Sequence, residues 1–189
     1  MSQQEVLKRV IEALQASRTP YMLTGSLVSS LQGEPRSTHD VDVVVLVSRE
    51  SSAALFARLS QIGGYLDQAS IERAIENHSM FNLIEPELGI KVDFWMLTDE
   101  PFDRSRWTRR QEEPLLGLRI WVSSPEDTIL AKLRWARLAG GSEKHFTDAV
   151  RVYELQYANL DRQYLNRWVR ALDVEELWRQ LLSRAMPLE

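Results

Sequence analysis

The chain has 189 residues, 44% hydrophobic and 26% charged, with a net charge of −4, which suits one soluble globular domain or a compact catalytic domain carrying a small second module. It has no cysteine, which excludes disulfides, thiolate nucleophiles and cysteine-based zinc sites, and its three dispersed histidines (His39, His78, His145) argue against a histidine-rich metal centre. The charge is uneven: residues 1–100 carry 8 basic and 14 acidic side chains and residues 101–140 carry 8 and 5, so the chain is not a general polyanion binder but has a locally basic middle.

The N-terminus is amphipathic and bears both charge signs, unlike a signal peptide, and the longest apolar run, Val43 to Val47, is far too short to span a bilayer. A cytoplasmic protein without membrane contact is expected. Val6, Val10, Ala13 and Leu14 recur at helical spacing, so Glu5 to Ala16 is a predicted helix ending before Pro20. Tyr21 to Leu23 is a short strand, Thr24-Gly25-Ser26 a turn, and a short helix follows as far as Gly33. Asp40 to Val47 is the clearest strand, its β-branched run suggesting burial on both faces. Ser51 to Ile62 is helical and stops at Gly63-Gly64. Met80 to Ile84 and Ile90 to Leu97 are predicted to pair through a turn at Glu85-Pro86-Glu87. Residues 99–114 are polar and read as a loop or a short helix, and Leu118 to Val122 is a last strand.

The composition then changes. Ser124 suits a helix N-cap, Pro125 the first helical position, and Asp127 a capping box. That helix reaches Leu138 and breaks at Gly140-Gly141. Helices over 146–157, 162–172 and 174–185 follow, with Asp161 and Asp173 as N-caps. The fold class is α/β (α+β), a mixed sheet flanked by helices and followed by a C-terminal helical bundle. The domains expected are 1–122 and 123–189.

Asp40 and Asp42 open an apolar strand and, two residues apart, share one face. Neighbouring anions beside a hydrophobic run repel each other and resist desolvation unless a cation lies between them, a need that Mg²⁺ meets while keeping positions for water and phosphate. Asp93 is a third anion on an apolar strand, and a strand beside the first would bring it to the same centre, where three carboxylates can hold two ions for displacement at phosphorus. Taken singly, Asp40 and Asp42 could sit at a wet strand end, and Asp93 could pair with Lys91 or an arginine.

Gly25-Ser26, between a strand and a helix, permits a tight turn whose helix N-terminus and hydroxyl can hold phosphate oxygens. Thr24-Gly25-Ser26-Leu27, then Arg36-Ser37-Thr38-His39-Asp40-Val41-Asp42 and Lys91-Val92-Asp93-Phe94, together resemble the signature of the nucleotidyltransferase superfamily with a polymerase-β-like fold. Ser124-Pro125-Glu126-Asp127 through Lys132-Leu133, with Lys144 and Asp148, are similar to later motifs of its AbiEii-type branch, found among abortive-infection and toxin–antitoxin systems. The link at Gly140-Gly141-Ser142 is longer than in that branch.

The resemblance implies an enzyme that moves a nucleoside monophosphate from a nucleoside triphosphate to an acceptor hydroxyl. Asp40, Asp42 and Asp93 would hold two Mg²⁺ ions. Gly25, Ser26, Arg36, Thr38 and Lys132 would bind the nucleotide, and Asp148 would orient Lys132 or the nucleotide. The acceptor stays open among the 3′ end of tRNA, a protein hydroxyl and a small molecule such as an aminoglycoside, and a cognate antitoxin is an implied partner. Read from the residues alone, Lys132 could be solvated and Asp148 could pair with Lys144. The alternative for the whole chain is a non-catalytic nucleotidyltransferase-like module that binds another protein. Arg104 to Arg110, four arginines around Trp107, could track a nucleic-acid backbone or form a solvated loop, and Trp95, Trp121, Trp135, Trp168 and Trp178 are expected in packing roles.

Overall fold

A computed structural model describes residues 2–35, 37–38 and 40–187, so Arg36 and His39 lie outside the described residues. In chain order the elements are α1 (Gln3–Ala16), β1 (Tyr21–Thr24), α2 (Gly25–Gln32), β2 (Asp40–Val45), α3 (Arg49–Leu59), α4 (Gln68–Asn77), β3 (Met80–Glu85), β4 (Ile90–Met96), α5 (Pro101–Thr108), β5 (Gln111–Leu115), β6 (Leu118–Val122), α6 (Pro125–Leu138), α7 (Glu143–Gln156), α8 (Arg162–Ala171) and α9 (Glu175–Arg184). The chain divides into two compact units, one of residues 1–24 and 38–122, the other of residues 25–37 and 123–189. No helix of the described residues is long and apolar enough to cross a membrane.

The first unit is built on a six-stranded sheet in the order β3-β4-β2-β1-β6-β5. The β-branched runs of β2 and β4 occupy interior positions and pair in parallel, with Val41, Val43, Val44, Val45, Val92 and Phe94 buried, as two-faced burial requires. Phe81 of β3 lies opposite Phe94 and their rings stack at 4.7 Å. Helix α1 starts from a capping box between Ser2 and Glu5 and buries the stripe Val6, Val10, Ile11 and Leu14.

Two elements, α4 and β5, are additional to those expected from the sequence. Helix α4 depends on its Asp67 cap and its left-handed stop at His78, and buries only Ile71 and Ala74. Strand β5, expected as part of a loop, is an edge strand almost wholly exposed. With no apolar alternation to betray it, β5 is defined by its pairing to β6. The rest of that stretch does form a short helix, α5, whose Trp107 joins Met22, Val44 and Leu97 in the core.

The second unit is helical. Ser124 caps α6 as expected, but the Asp127 carboxylate serves a different purpose from closing a box: it accepts the hydroxyls of Ser124 at 2.8 Å and Tyr164 at 2.6 Å. Asp161 caps α8. Asp173 does not cap α9; it adopts a left-handed backbone (φ 57°) and its carboxylate pairs with Arg137. Gly33, just past α2, is required by packing: a Cβ there would meet the Ser29 carbonyl oxygen at 2.9 Å and the Val152 nitrogen at 3.0 Å. The backbone of α2 therefore reaches α7 with no room for a side chain.

Candidate nucleotide-transfer site

In the first unit the register places four charged side chains on one face of the sheet. Asp40 is the partner of Lys91 and Asp42 of Asp93 across parallel β2 and β4, and residues two apart on a strand share a face. The row through Asp42 continues outward, with Asn82 of β3 opposite Asp93 and Thr24 of β1 opposite Asp42. Beyond it the same face turns apolar, with Trp95 packed on Met22, Val44, Leu97 and Trp107. The sequence singled out the three aspartates; Asn82, Thr24 and Trp95 became visible as neighbours only through strand pairing.

The polar contacts are specific. Asp93 is 8% exposed; its Oδ1 accepts from the Asn82 amide at 2.5 Å and its Oδ2 from the Lys91 ammonium at 2.9 Å. That hydrogen bond to Asp93 is the chief reason the Lys91 pKa is raised, with Asp40 and Asp42 adding further attraction. Asp42 is half-buried and accepts from the Trp95 indole at 3.3 Å, while Asp40 is exposed at the mouth of β2. Hard carboxylate oxygens on adjacent strands suit Mg²⁺ in kind. The side chains do not converge, however: among the described residues no group of three acidic or imidazole side chains is placed to hold one ion.

Thr38 is half-buried, with its hydroxyl donating to the Asp40 carbonyl at 3.2 Å and its own carbonyl accepting from Gln3.

In the second unit, Gly25 has φ 70°, a left-handed start that glycine adopts without strain, and α2 begins there. Lys132, on the face of α6 that also buries Ile129 and Leu133, is 3% exposed, so the solvated reading does not hold. Its ammonium donates to the Ser26 hydroxyl at 3.1 Å and to Asp148 of α7 at 2.7 Å. Asp148 also accepts from Ser29, one turn along α2 from Ser26, at 3.3 Å. Ser29 carries no motif and was not legible in the sequence. Gly25, Ser26, Lys132 and Asp148 are thus gathered in one unit, and Asp40, Asp42 and Asp93 in the other.

The basic stretch does not present free arginines in a row. Arg106 pairs with Asp103 at 2.9 Å and Arg104 with Asp99. Arg110 lies over both Trp107 (4.3 Å) and Trp121 (5.0 Å), and burial lowers its pKa. Trp121 and Trp135 are partly exposed rather than core residues.

No protein-family model matches the chain, and no curated protein matches its sequence. Solved structures do match. The solution structure of the antibiotic-resistance factor ANT(2'')-Ia aligns with a TM-score of 0.62 at 14% identity, over 94% of this chain and 95% of that one. Its crystal structure in complex with adenylyl-2''-tobramycin aligns with a TM-score of 0.63 at 14% identity, over 93% and 99%. The lincosamide antibiotic adenylyltransferase LnuA, lincomycin-bound, aligns with a TM-score of 0.54 at 16% identity, over 80% and 97%. The mixed sheet and its helices are therefore the fold of nucleotidyltransferases.

Proposed function

We propose that this chain, which has the fold of nucleotidyltransferases, is a Mg²⁺-dependent nucleotidyltransferase that moves a nucleoside monophosphate from a nucleoside triphosphate to an acceptor hydroxyl. The acceptor oxygen forms a bond to the α-phosphorus, the bond from that phosphorus to the pyrophosphate oxygen breaks, and the hydroxyl proton leaves to a carboxylate or to water. The observation that carries the reading is the buried Lys132, whose ammonium rests on the hydroxyl of the Gly25-Ser26 turn and is fixed by Asp148. A buried point charge beside a helix N-terminus suits a triphosphate, and a packing role alone would not call for an ionised lysine.

In this reading Gly25, Ser26 and Lys132 bind phosphate oxygens, and Asp148 positions Lys132. Arg36 and Thr38 are also assigned to the nucleotide. Asp40, Asp42 and Asp93 are the carboxylates that would hold Mg²⁺, which when bound neutralises phosphate charge and polarises the phosphoryl oxygens. The catalytic carboxylates belong to the proposed α/β domain (1–122). The helices of 123–189 supply Lys132 and Asp148.

Three acceptors are proposed in order of support. The likeness to ANT(2'')-Ia in complex with adenylyl-2''-tobramycin, over 93% of this chain, and to the lincosamide antibiotic adenylyltransferase LnuA, over 80%, favours a small-molecule hydroxyl first. The motif resemblance to the AbiEii-type branch makes the 3′ end of tRNA the second, with a toxin role and an antitoxin partner attached to it. A protein hydroxyl is the third.

The test is transfer of α-labelled nucleoside triphosphates, each in turn, with Mg²⁺ and an aminoglycoside and lincosamide panel, total RNA and protein extract as acceptors. Label that reaches one class and is lost in Asp42→Asn establishes the reaction and its acceptor. A non-catalytic binding module is the second reading, favoured by the engagement of both Asp93 oxygens within the protein. Absence of any Mg²⁺-dependent thermal stabilisation by nucleotide would favour it over the enzyme.

A further inference from the structure

The charged face of the first unit's sheet has a resident cation. Lys91 stands beside Asp40 in the β2–β4 register, one pleat from Asp93, to which it is bonded at 2.9 Å. Three carboxylates and one ammonium leave a net charge of −2 on that face, which a single divalent ion balances. Two divalent ions would leave an excess of positive charge beside the ammonium, an unfavourable arrangement in the absence of further anions. Asp93 is the most buried of the three carboxylates; its side chain is 11% exposed against 44% for Lys91, and a buried carboxylate is best accommodated with a charge partner and hydrogen bonds of its own. Lys91 and Asn82 provide its charge and its hydrogen bonds.

We propose that Lys91 takes the place of one divalent ion, so that the chain holds a single ion on Asp40 and Asp42 while Asp93 is committed to Lys91. This deepens the nucleotidyl-transfer reading and rests on it. The ion-binding carboxylates assigned above are thereby narrowed to Asp40 and Asp42, and Asp93 becomes a positioning residue for the lysine. The ammonium then stands in the same charged row as the ion-binding pair, where it would offset negative charge on bound phosphate or acceptor oxygens.

The experiment is titration of the full chain with Mn²⁺ alone, followed by electron paramagnetic resonance of the free ion. The wild type is expected to bind one Mn²⁺ per chain, and Asp42→Asn to lose it. Lys91→Met is expected to bind a second ion and to tighten the first by about tenfold or more, the effect of removing a unit charge a few ångström away. Lys91→Arg, which keeps the charge, is expected to behave as the wild type. Circular dichroism confirms that each variant is folded, and Lys91→Gln replaces Lys91→Met if that variant is not.

Two ions bound by the wild type, or equal stoichiometry and affinity in wild type and Lys91→Met, would overturn the inference while leaving nucleotidyl transfer intact. No manganese bound by any folded variant would also overturn it, and the labelled-nucleotide assay then decides separately whether the transfer reading falls with it.

Discussion

Lys132 and Asp148 form a 2.7 Å ion pair whose side chains are 4% and 8% exposed. A charge pair so far from water is held by its geometry, since each ion alone would meet a desolvation penalty of several kcal/mol. Asp148→Ala, which strands the ammonium, is expected to lower unfolding stability by about 3 kcal/mol, read from urea midpoints. Lys132→Met combined with Asp148→Leu is expected to be closer to wild type in stability yet inactive in transfer. Equal stability of Asp148→Ala and wild type would refute the buried pair.

The contact between α2 and α7 at Gly33 predicts intolerance of the smallest possible addition. Gly33→Ala is expected to destabilise by about 1–3 kcal/mol through overpacking, because the atoms met are backbone atoms of Ser29 and Val152 that cannot rotate away. A chemical-denaturation midpoint unchanged from wild type would show that the two helices are not in such contact.

Lys91 gives a pH dependence of definite sign. Its pKa is raised above the ordinary 10.5 by the Asp93 carboxylate, so the pair's stabilisation is fully present below the unfolded value and is lost as pH rises through the folded one. Wild type should therefore lose more stability than Lys91→Met between pH ~8 and pH ~11, measured as melting temperature against pH. Parallel curves for the two proteins would contradict the pairing.

Arg110 tests whether the basic stretch is structural. Stacked over Trp107 and Trp121 with its Nη1 donating to the Trp107 carbonyl at 2.6 Å, it is expected to cost about 1–2 kcal/mol when changed to Ala, while the salt slope of any RNA binding stays as in wild type. A shallower slope at unchanged stability would instead make Arg110 a phosphate contact.

What could be read from the sequence depended on how local the cause was. The β2 and β4 runs, the Ser124 cap and the Asp161 cap are written in neighbouring residues, and the structure follows them. The same-face placement of Asp40 and Asp42 comes from strand alternation alone. Asn82 beside Asp93 and Ser29 beside Asp148 come from pairings between distant segments, and an unremarkable amide or hydroxyl gives no sign of such a partner. Strand β5 escaped because an exposed edge strand carries no apolar alternation; helix α4, by contrast, sets Ile71 and Ala74 one turn apart behind its Asp67 cap, a short pattern that is legible in the sequence. Asp173 resembled a cap because acidic residues favour that position, but its left-handed backbone and its pairing with Arg137 are decided by tertiary context.

The membership of α2 in the second unit has a consequence for biosynthesis. Its partners lie far downstream: Ser26 bonds to Lys132, 106 residues later, and Ser29 to Asp148, 119 residues later. At about 5–20 residues per second, a ribosome that has made α2 needs roughly 5–20 seconds to deliver the helices that cover it. During that interval the buried side of α2, with Val28 at its centre, has no permanent shelter, and a nascent chain stalled before residue 132 would offer it to chaperones or to other unfinished copies.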